Sequence, residues 1–197
     1  MRTRLSTEQR RAQLLAIGAE LFARRPYEEV SIDEVAEIAQ ISCGLLYHYF
    51  PSKRAFFLAI VEEESAKLLR ASSPDPALPP LAQVKAGLEI YIDYAEHHPD
   101  SFRVAQRAAI TDHDLQSLHE ARITAQRDRI LTGLGTMKTV DEEAKIAVTG
   151  WLAFAQTVIL GWLDDPTLSR EQLRDLCARA LWAAVGLLPG ADAMSRQ

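Results

Sequence analysis

Apolar residues recur three and four positions apart over most of this chain, and no stretch alternates apolar and polar as a half-buried strand must. The fold is thereby restricted to packed helices, an all-α class. Leu14, Ile17, Leu21 form one such stripe, Leu81, Val84, Leu88, Tyr91, Ala95 another, and Leu173, Leu176, Ala180, Ala184 a third. Four of the nine prolines, Pro74, Pro76, Pro79 and Pro80, crowd into SSPDPALPP. Proline lacks the amide hydrogen and clashes with the preceding turn, so this segment is a loop. Ser31 with Glu34 three residues on reads as a capping box, Ser42 as an N-cap, and Ser52 as the residue before a helix opened by Lys53. Together these signals predict about nine helices, over 7–24, 31–38, 42–48, 52–71, 79–97, 100–110, 112–135, 141–164 and 168–187. At 197 residues the chain can bury a core without staples.

The net charge of -5 is unevenly spread. Residues 1–54 carry eight Lys and Arg against seven Asp and Glu, whereas residues 55–197 carry fourteen against twenty. Such a chain does not coat nucleic acid wholesale, but its first quarter can hold one local binding face. Cys43 and Cys177 have no CxxC or framework spacing, and the N-terminus shows no apolar run of signal-peptide length; both point to a cytoplasmic protein. One segment resembles a membrane span. Residues 146–163 run for eighteen positions without a charge, which is the threshold length. Thr149, Gln156 and Thr157 near its centre, and amphipathic segments on both sides, favour a buried helix and no membrane partner.

Between residues 31 and 50 lie two very short helices, SIDEVAEIA and SCGLLYHYF, separated by Gln40 and Ile41. Helices of about two turns do not stand alone. Val35, Ala36, Ala39 and Ile41 can pack on Leu14, Ile17, Leu21 and Phe22, while Leu46 and Phe50, four apart, turn a second apolar edge to the same core. The result is a tri-helical helix-turn-helix layout. Its opposite edge presents Ser42, Cys43, Leu45, Tyr47, His48 and Tyr49, and in DNA-binding domains of this layout that second helix enters the major groove. Lys53, in the first turn of its helix, suits a phosphate oxygen. Arg2, Arg4, Arg10 and Arg11 can track a backbone or reach into a minor groove. A thiol at position 43, near a helix N-terminus, is expected to have a lowered pKa, although a small contact residue is the simpler reading.

The run SIDEVAEIAQISCGLLYHYFPSKRAFFLAIVE resembles the N-terminal signature of the tetracycline-repressor (TetR) family of bacterial transcription regulators. The likeness is strongest at Gly44, Leu46, Tyr47, His48, Tyr49, Phe50, Ser52 and Lys53. It implies that Tyr47, His48 and Lys53 contact phosphates and that Ser42, Cys43 and Leu45 face base edges, with Arg4, Ser31 and Gly44 completing the DNA-binding set. It further implies a helix-turn-helix domain over 1–51 and a ligand-binding and dimerisation domain over 52–197. Two departures matter. Cys43 and Leu45 stand where many members carry a better hydrogen-bonding side chain, and neither makes a bidentate base contact, so readout shifts toward thymine methyl groups, Ser42 and DNA shape. Gln40 replaces the glycine commonly found between the two short helices.

The charge-free helix is most simply buried if one face meets its own core and another a second subunit. The last helix supplies the partner surface, because Leu173, Leu176, Cys177, Ala180 and Ala184 form a stripe whose alanines permit close approach. A homodimer through a four-helix interface follows. Phe57, Val61, Leu88, Tyr91, Phe102, Trp151, Phe154 and Val158 can line a ligand cavity or simply fill a core, and Gln106 and Arg122 are the polar groups placed to project inward. No catalytic residue, cofactor or metal site is expected. His97 and His98 are adjacent and diverge by about 100° on a helix. His113 and His119 are six apart, off the spacing of helical metal ligands. The function expected is a repressor that binds a palindromic double-stranded operator and is released by an apolar or amphipathic small molecule; an all-α enzyme and a helical interaction module indifferent to DNA remain alternatives.

Overall fold

The computed structural model describes residues 5–73, 75, 77–99, 102–103, 113–135 and 141–186. Among these are eight α-helices and no strand. They are α1 (Thr7–Arg24), α2 (Ile32–Ala39), α3 (Cys43–Tyr49), α4 (Lys53–Ala71), α5 (Pro80–His97), α6 (His113–Leu134), α7 (Glu142–Asp164) and α8 (Arg170–Ala184), with a single 3-10 turn at Tyr27–Glu29. Of the helix expected over 100–110, only Phe102 and Arg103 lie among the described residues.

The helix starts follow from side-chain capping. Ser6 with Gln9 and Ser169 with Gln172 form capping boxes, in which the serine hydroxyl accepts from the third amide and the glutamine accepts from the serine amide. Asp141 accepts from Ala144 N at 2.8 Å, and α5 begins at Pro80, where a missing N–H leaves nothing unsatisfied. The box expected at Ser31 forms only by half. Ser31 Oγ accepts from Asp33 N, but both carboxylate oxygens of Glu34 accept from Arg25 Nη2 at 2.7 Å. A guanidinium holds a carboxylate more strongly than a backbone amide does.

The helices group into two compact units, Met1–Lys67 with Asp100–Gln116, and Leu68–Pro99 with Ser117–Gln197. The first therefore extends past the boundary expected after residue 51. The reason is packing: Phe56 and Ile60 of α4 are buried in the same core as Leu14, Val35, Ala39, Leu46 and Phe50. Gly18 of α1 lets α4 come close, since a Cβ there would lie 2.5 Å from Phe56 Cζ and closer still to Ile60. Phe22, Tyr27 and Phe57 add an aromatic cluster with ring centroids 5.0–5.9 Å apart.

Between α2 and α3 the chain turns through Gln40, whose φ of 56° and ψ of 47° are left-handed. A residue with a Cβ pays about 1–2 kcal/mol there. Gln40→Gly removes that strain and adds about 0.4–1 kcal/mol of unfolded-chain entropy. A net stabilisation of about 0.5–1 kcal/mol in urea denaturation is expected; a lower midpoint for the variant would contradict it.

In the second unit α5, α7 and α8 pack against one another. Arg170, at the start of α8, bonds Glu89, Asp93 and Glu96 of α5 at 2.7–3.2 Å, three carboxylates spaced along one helix face. Lys85 and Asp175 add a pair at 3.0 Å. The charge-free helix α7 buries Ala144, Val148, Trp151, Leu152, Ala155, Gln156 and Ile159, but Ile146, Gly150, Ala153, Phe154 and Thr157 are exposed on the protomer. Its length and hydropathy would suit a membrane span, yet one full face packs into the protein.

Candidate nucleic-acid interface and effector cavity

Helix α3 is only seven residues long and is held from one side. Leu46 is fully buried and Phe50 nearly so, with the Phe50 ring 4.9 Å from that of Phe56. Ser42 Oγ accepts from Leu45 N at 3.2 Å and fixes the first turn. What remains outward is Ser42, Gly44, Leu45, Tyr47 and His48; Leu45 is 39% and Tyr47 48% exposed, high for side chains of their kind. Apolar exposure gathered on one outward face is the mark of a surface that meets a partner. Tyr49, by contrast, is partly buried against the core.

The charged and polar candidates around α3 are less free than their types suggest. Lys53 Nζ donates to Glu28 O at 3.2 Å and sits 4.5 Å from the centre of the Tyr27 ring, so its ammonium folds back on the 3-10 turn. A phosphate has to compete for it. Arg10 donates to Gln13 Oε1, and the Arg11 guanidinium lies 5.4 Å over the Phe50 ring. Arg2 and Arg4 lie outside the described residues. Ser31, exposed, caps α2. The Cys43 thiol donates to Asp33 Oδ1 at 2.8 Å, and this bond holds its pKa above the ordinary thiol value. The lowered pKa expected from its place at a helix N-terminus is thus reversed: the carboxylate accepts the proton that the helix end would help remove.

The second unit contains a cavity of about 80 Å³ between α5, α6 and α7. Leu88, Tyr91, Arg122 and Trp151 line it, as do Val84, Ile123, Gln126, Arg129, Ile130 and Leu152. Trp151 is fixed by its indole N–H, which donates to Cys177 O at 2.7 Å and ties α7 to α8. Burial pushes the Cys177 thiol up to about 11, so it stays protonated beneath that wall. Several candidates do not reach the cavity. Phe154 and Val158 are on α7 but not in its lining, and Phe154 is 39% exposed. Phe57 and Val61 belong to the first unit, where Phe57 stacks edge-on to Phe22 and Tyr27. Phe102 is buried in that unit too, and Gln106 lies outside the described residues.

Of the α6 wall, sequence reasoning found Arg122 alone and missed Ile123, Gln126, Arg129, Ile130 and Gly133. Its stripe Arg122, Gln126, Arg129, Gly133 continues at helical spacing from Leu115, Leu118 and Arg122, but three polar residues and a glycine do not register as an apolar face. Among the described residues no group of three His, Cys, Asp or Glu side chains gathers to hold a metal.

Residues 14–60 match the family of bacterial regulatory proteins named for tetR, and residues 80–184 match the tetracyclin repressor-like C-terminal domain. The chain is 23% identical over 196 residues to the transcriptional activator FasR of Mycolicibacterium smegmatis, covering 94% of this chain and 87% of that one. It is 28% identical over 141 residues to the regulator EthR of the same organism, covering 64% of each. A crystal structure of a tetR-family regulator from Streptomyces coelicolor superposes with a TM-score of 0.78 at 27% identity, covering 96% of this chain and 85% of that one. With the helix-turn-helix and the helical body both accounted for over more than half its length, the chain belongs to the TetR family of helix-turn-helix transcriptional regulators.

Proposed function

We propose that the protein is a cytoplasmic repressor that binds a two-fold-symmetric operator as a homodimer and lets go when a small apolar or amphipathic molecule enters the cavity of the second unit. The observation that carries the DNA side is α3, packed by Leu46 and Phe50 from within and outwardly exposed at Ser42, Gly44, Leu45, Tyr47 and His48. In this layout the outward helix reads the major groove. Leu45 offers a methyl-sized apolar contact, suited to thymine, while the Ser42 hydroxyl can still donate to a base acceptor as it caps α3. Tyr47 and His48 reach the flanking phosphates, as does Lys53 once a phosphate draws it from Tyr27.

The dimer reading rests on one face of α7 and one edge of α8. Ile146, Gly150, Ala153, Phe154 and Thr157 line the exposed face of α7, while on α8 the half-buried Leu176 and Ala180 and the exposed Ala184 run along the edge of the stripe whose Leu173, Cys177 and Leu181 are buried. Of the stripe expected on α8, Leu173 and Cys177 thus pack within the protomer. Two copies meeting along both give the four-helix seam, and with it two recognition helices for two half-sites. The cavity side rests on a mostly apolar lining with few polar groups, the usual composition of a small-molecule site.

Footprinting at low salt is expected to protect a palindromic site. Lys53→Ala should weaken binding to all sequences and lower the salt slope by about one, whereas Leu45→Ala should change sequence preference with the slope intact. No protected site, with both variants behaving as wild type, would refute the assignment.

A further inference from the structure

Among the described residues, the side chains lining the cavity carry charge of one sign. Arg122, Gln126 and Arg129 lie at i, i+4 and i+7 of α6, hence on one face, with the two guanidinium-bearing positions about 10 Å apart along the axis. Among the described residues no carboxylate lines the cavity, and no ion pair neutralises either arginine. Arg129 Nη1 donates instead to Leu69 O, in the last turn of α4, and burial holds its pKa below the ordinary value. Arg122 Nη2 lies 3.4 Å from His119 Nδ1. Burial and Arg122 push that imidazole toward its neutral form, so it serves Arg122 as an acceptor and adds no third cation. Opposite stand Leu88, Tyr91 and Trp151, with Ile123 and Ile130 beside the arginines.

Two half-buried guanidiniums facing an apolar slot without a counter-ion are costly, and an entering anion would offset that cost where a neutral or cationic molecule would not. We propose that the effector is an amphiphile with a single carboxylate-type anionic head, seated over Gln126 between Arg122 and Arg129, and an apolar body lying along Leu88, Ile123, Ile130 and Trp151. The head takes Arg129 in place of the Leu69 carbonyl, because a charged acceptor makes the shorter and stronger hydrogen bond to a guanidinium. The last turn of α4 then loses its tie to α6. The proposal rests on the reading of this cavity as the effector site.

The test uses three ten-carbon probes on the full chain without DNA: decanoate, 1-decanol and decyltrimethylammonium. Binding is followed by tryptophan fluorescence, since Trp151 forms part of the wall. Decanoate should bind about tenfold or more tighter than decanol, and the cation weakest. Arg122→Gln and Arg129→Gln should each weaken decanoate about tenfold while leaving decanol unchanged, and Arg129→Lys, which keeps the charge, should retain most of the affinity. Arg122→Gln disturbs no bond to α4, so it reports even if Arg129→Gln unfolds. Decanol binding as tightly as decanoate, or decanoate affinity unchanged in Arg122→Gln and in whichever Arg129 variant folds, overturns the proposal. Operator release is scored separately. A neutral amphiphile that binds and releases operator leaves the effector reading standing and overturns the anionic head; decanoate that binds through both arginines yet leaves operator affinity unchanged does the reverse. Failure of all three probes to bind overturns both.

Discussion

Gly18→Val is expected to cost the first unit about 3 kcal/mol, at the upper end of what overpacking a core costs and a large share of the ~5–15 kcal/mol that holds a domain together. The smaller change Gly18→Ala tests the same contact with opposing terms. Alanine is the better helix former by about 1 kcal/mol. Against that gain, its Cβ would stand 2.5 Å from Phe56 Cζ and 2.8 Å from Phe56 Cε1, and closer to Ile60. Phe56 is fully buried and Ile60 is 4% exposed, so neither ring nor methyl has free space to enter. Steric cost wins, and a net loss of about 1–2 kcal/mol is expected for alanine. Ile60→Ala should relieve part of it, so the double variant should be more stable than the sum of the two single effects. Urea denaturation of the four proteins decides the matter; Gly18→Ala as stable as wild type would show that α1 and α4 do not pack this closely.

Ala180→Asp should convert a dimer into monomers at micromolar concentration. Ala180 is half-buried at the edge of the packed face of α8, in line with Leu176 and Ala184. An aspartate there meets no cationic partner in an apolar seam, and burying an unpaired carboxylate costs several kcal/mol, enough at 1.4 kcal/mol per decade to move a dimer dissociation constant by several powers of ten. Ala180 borders the packed face, three residues from Cys177 and seven from Leu173, so the helicity of the variant is measured beside its mass to separate lost pairing from lost packing. Sedimentation should show a monomer that keeps most of the wild-type helicity, since the half-buried position lets the carboxylate turn to the open edge of α8. The expected decline in operator binding follows from the loss of paired half-sites rather than from damage to α3. Wild type sedimenting as a monomer, or the variant as a dimer, would place the subunit contact elsewhere.

Element existence was legible because it depends on local chemistry. The capping serines, the proline cluster and the three- and four-residue spacing place seven of the helix starts within a residue of those observed, and α8 two residues later than expected. The tri-helical layout was legible for the same reason, since Leu46 and Phe50 on one edge and Leu45 and Tyr47 on the other are fixed by helical geometry alone. Pairwise choices among long side chains were not. Glu34 could reach the Ser31 amide or Arg25, and Lys53 could face solvent or Tyr27; only neighbours brought in by folding select between them. Gly18 shows the limit most plainly. Its place in a good helix gives no sign that two side chains from α4, some forty residues away, need the volume a Cβ would take.

The cavity repeats that lesson with function attached. Periodicity identified Leu88, Tyr91 and Trp151 as inward-facing, but the same periodicity also pointed to Phe57, Phe154 and Val158, which the fold sends to an aromatic cluster or away from the cavity lining. A helical wheel states which residues share a face; it cannot state what that face meets. The sequence by itself determined the helices, the recognition helix and the family, because each rests on contacts within a few residues or on a contiguous motif. Only the tertiary structure decided that Arg122 and Arg129 turn into one apolar slot, that Leu69 answers Arg129, and that α7 keeps one face bare, because burial and charge neutralisation depend on which surfaces packing brings together.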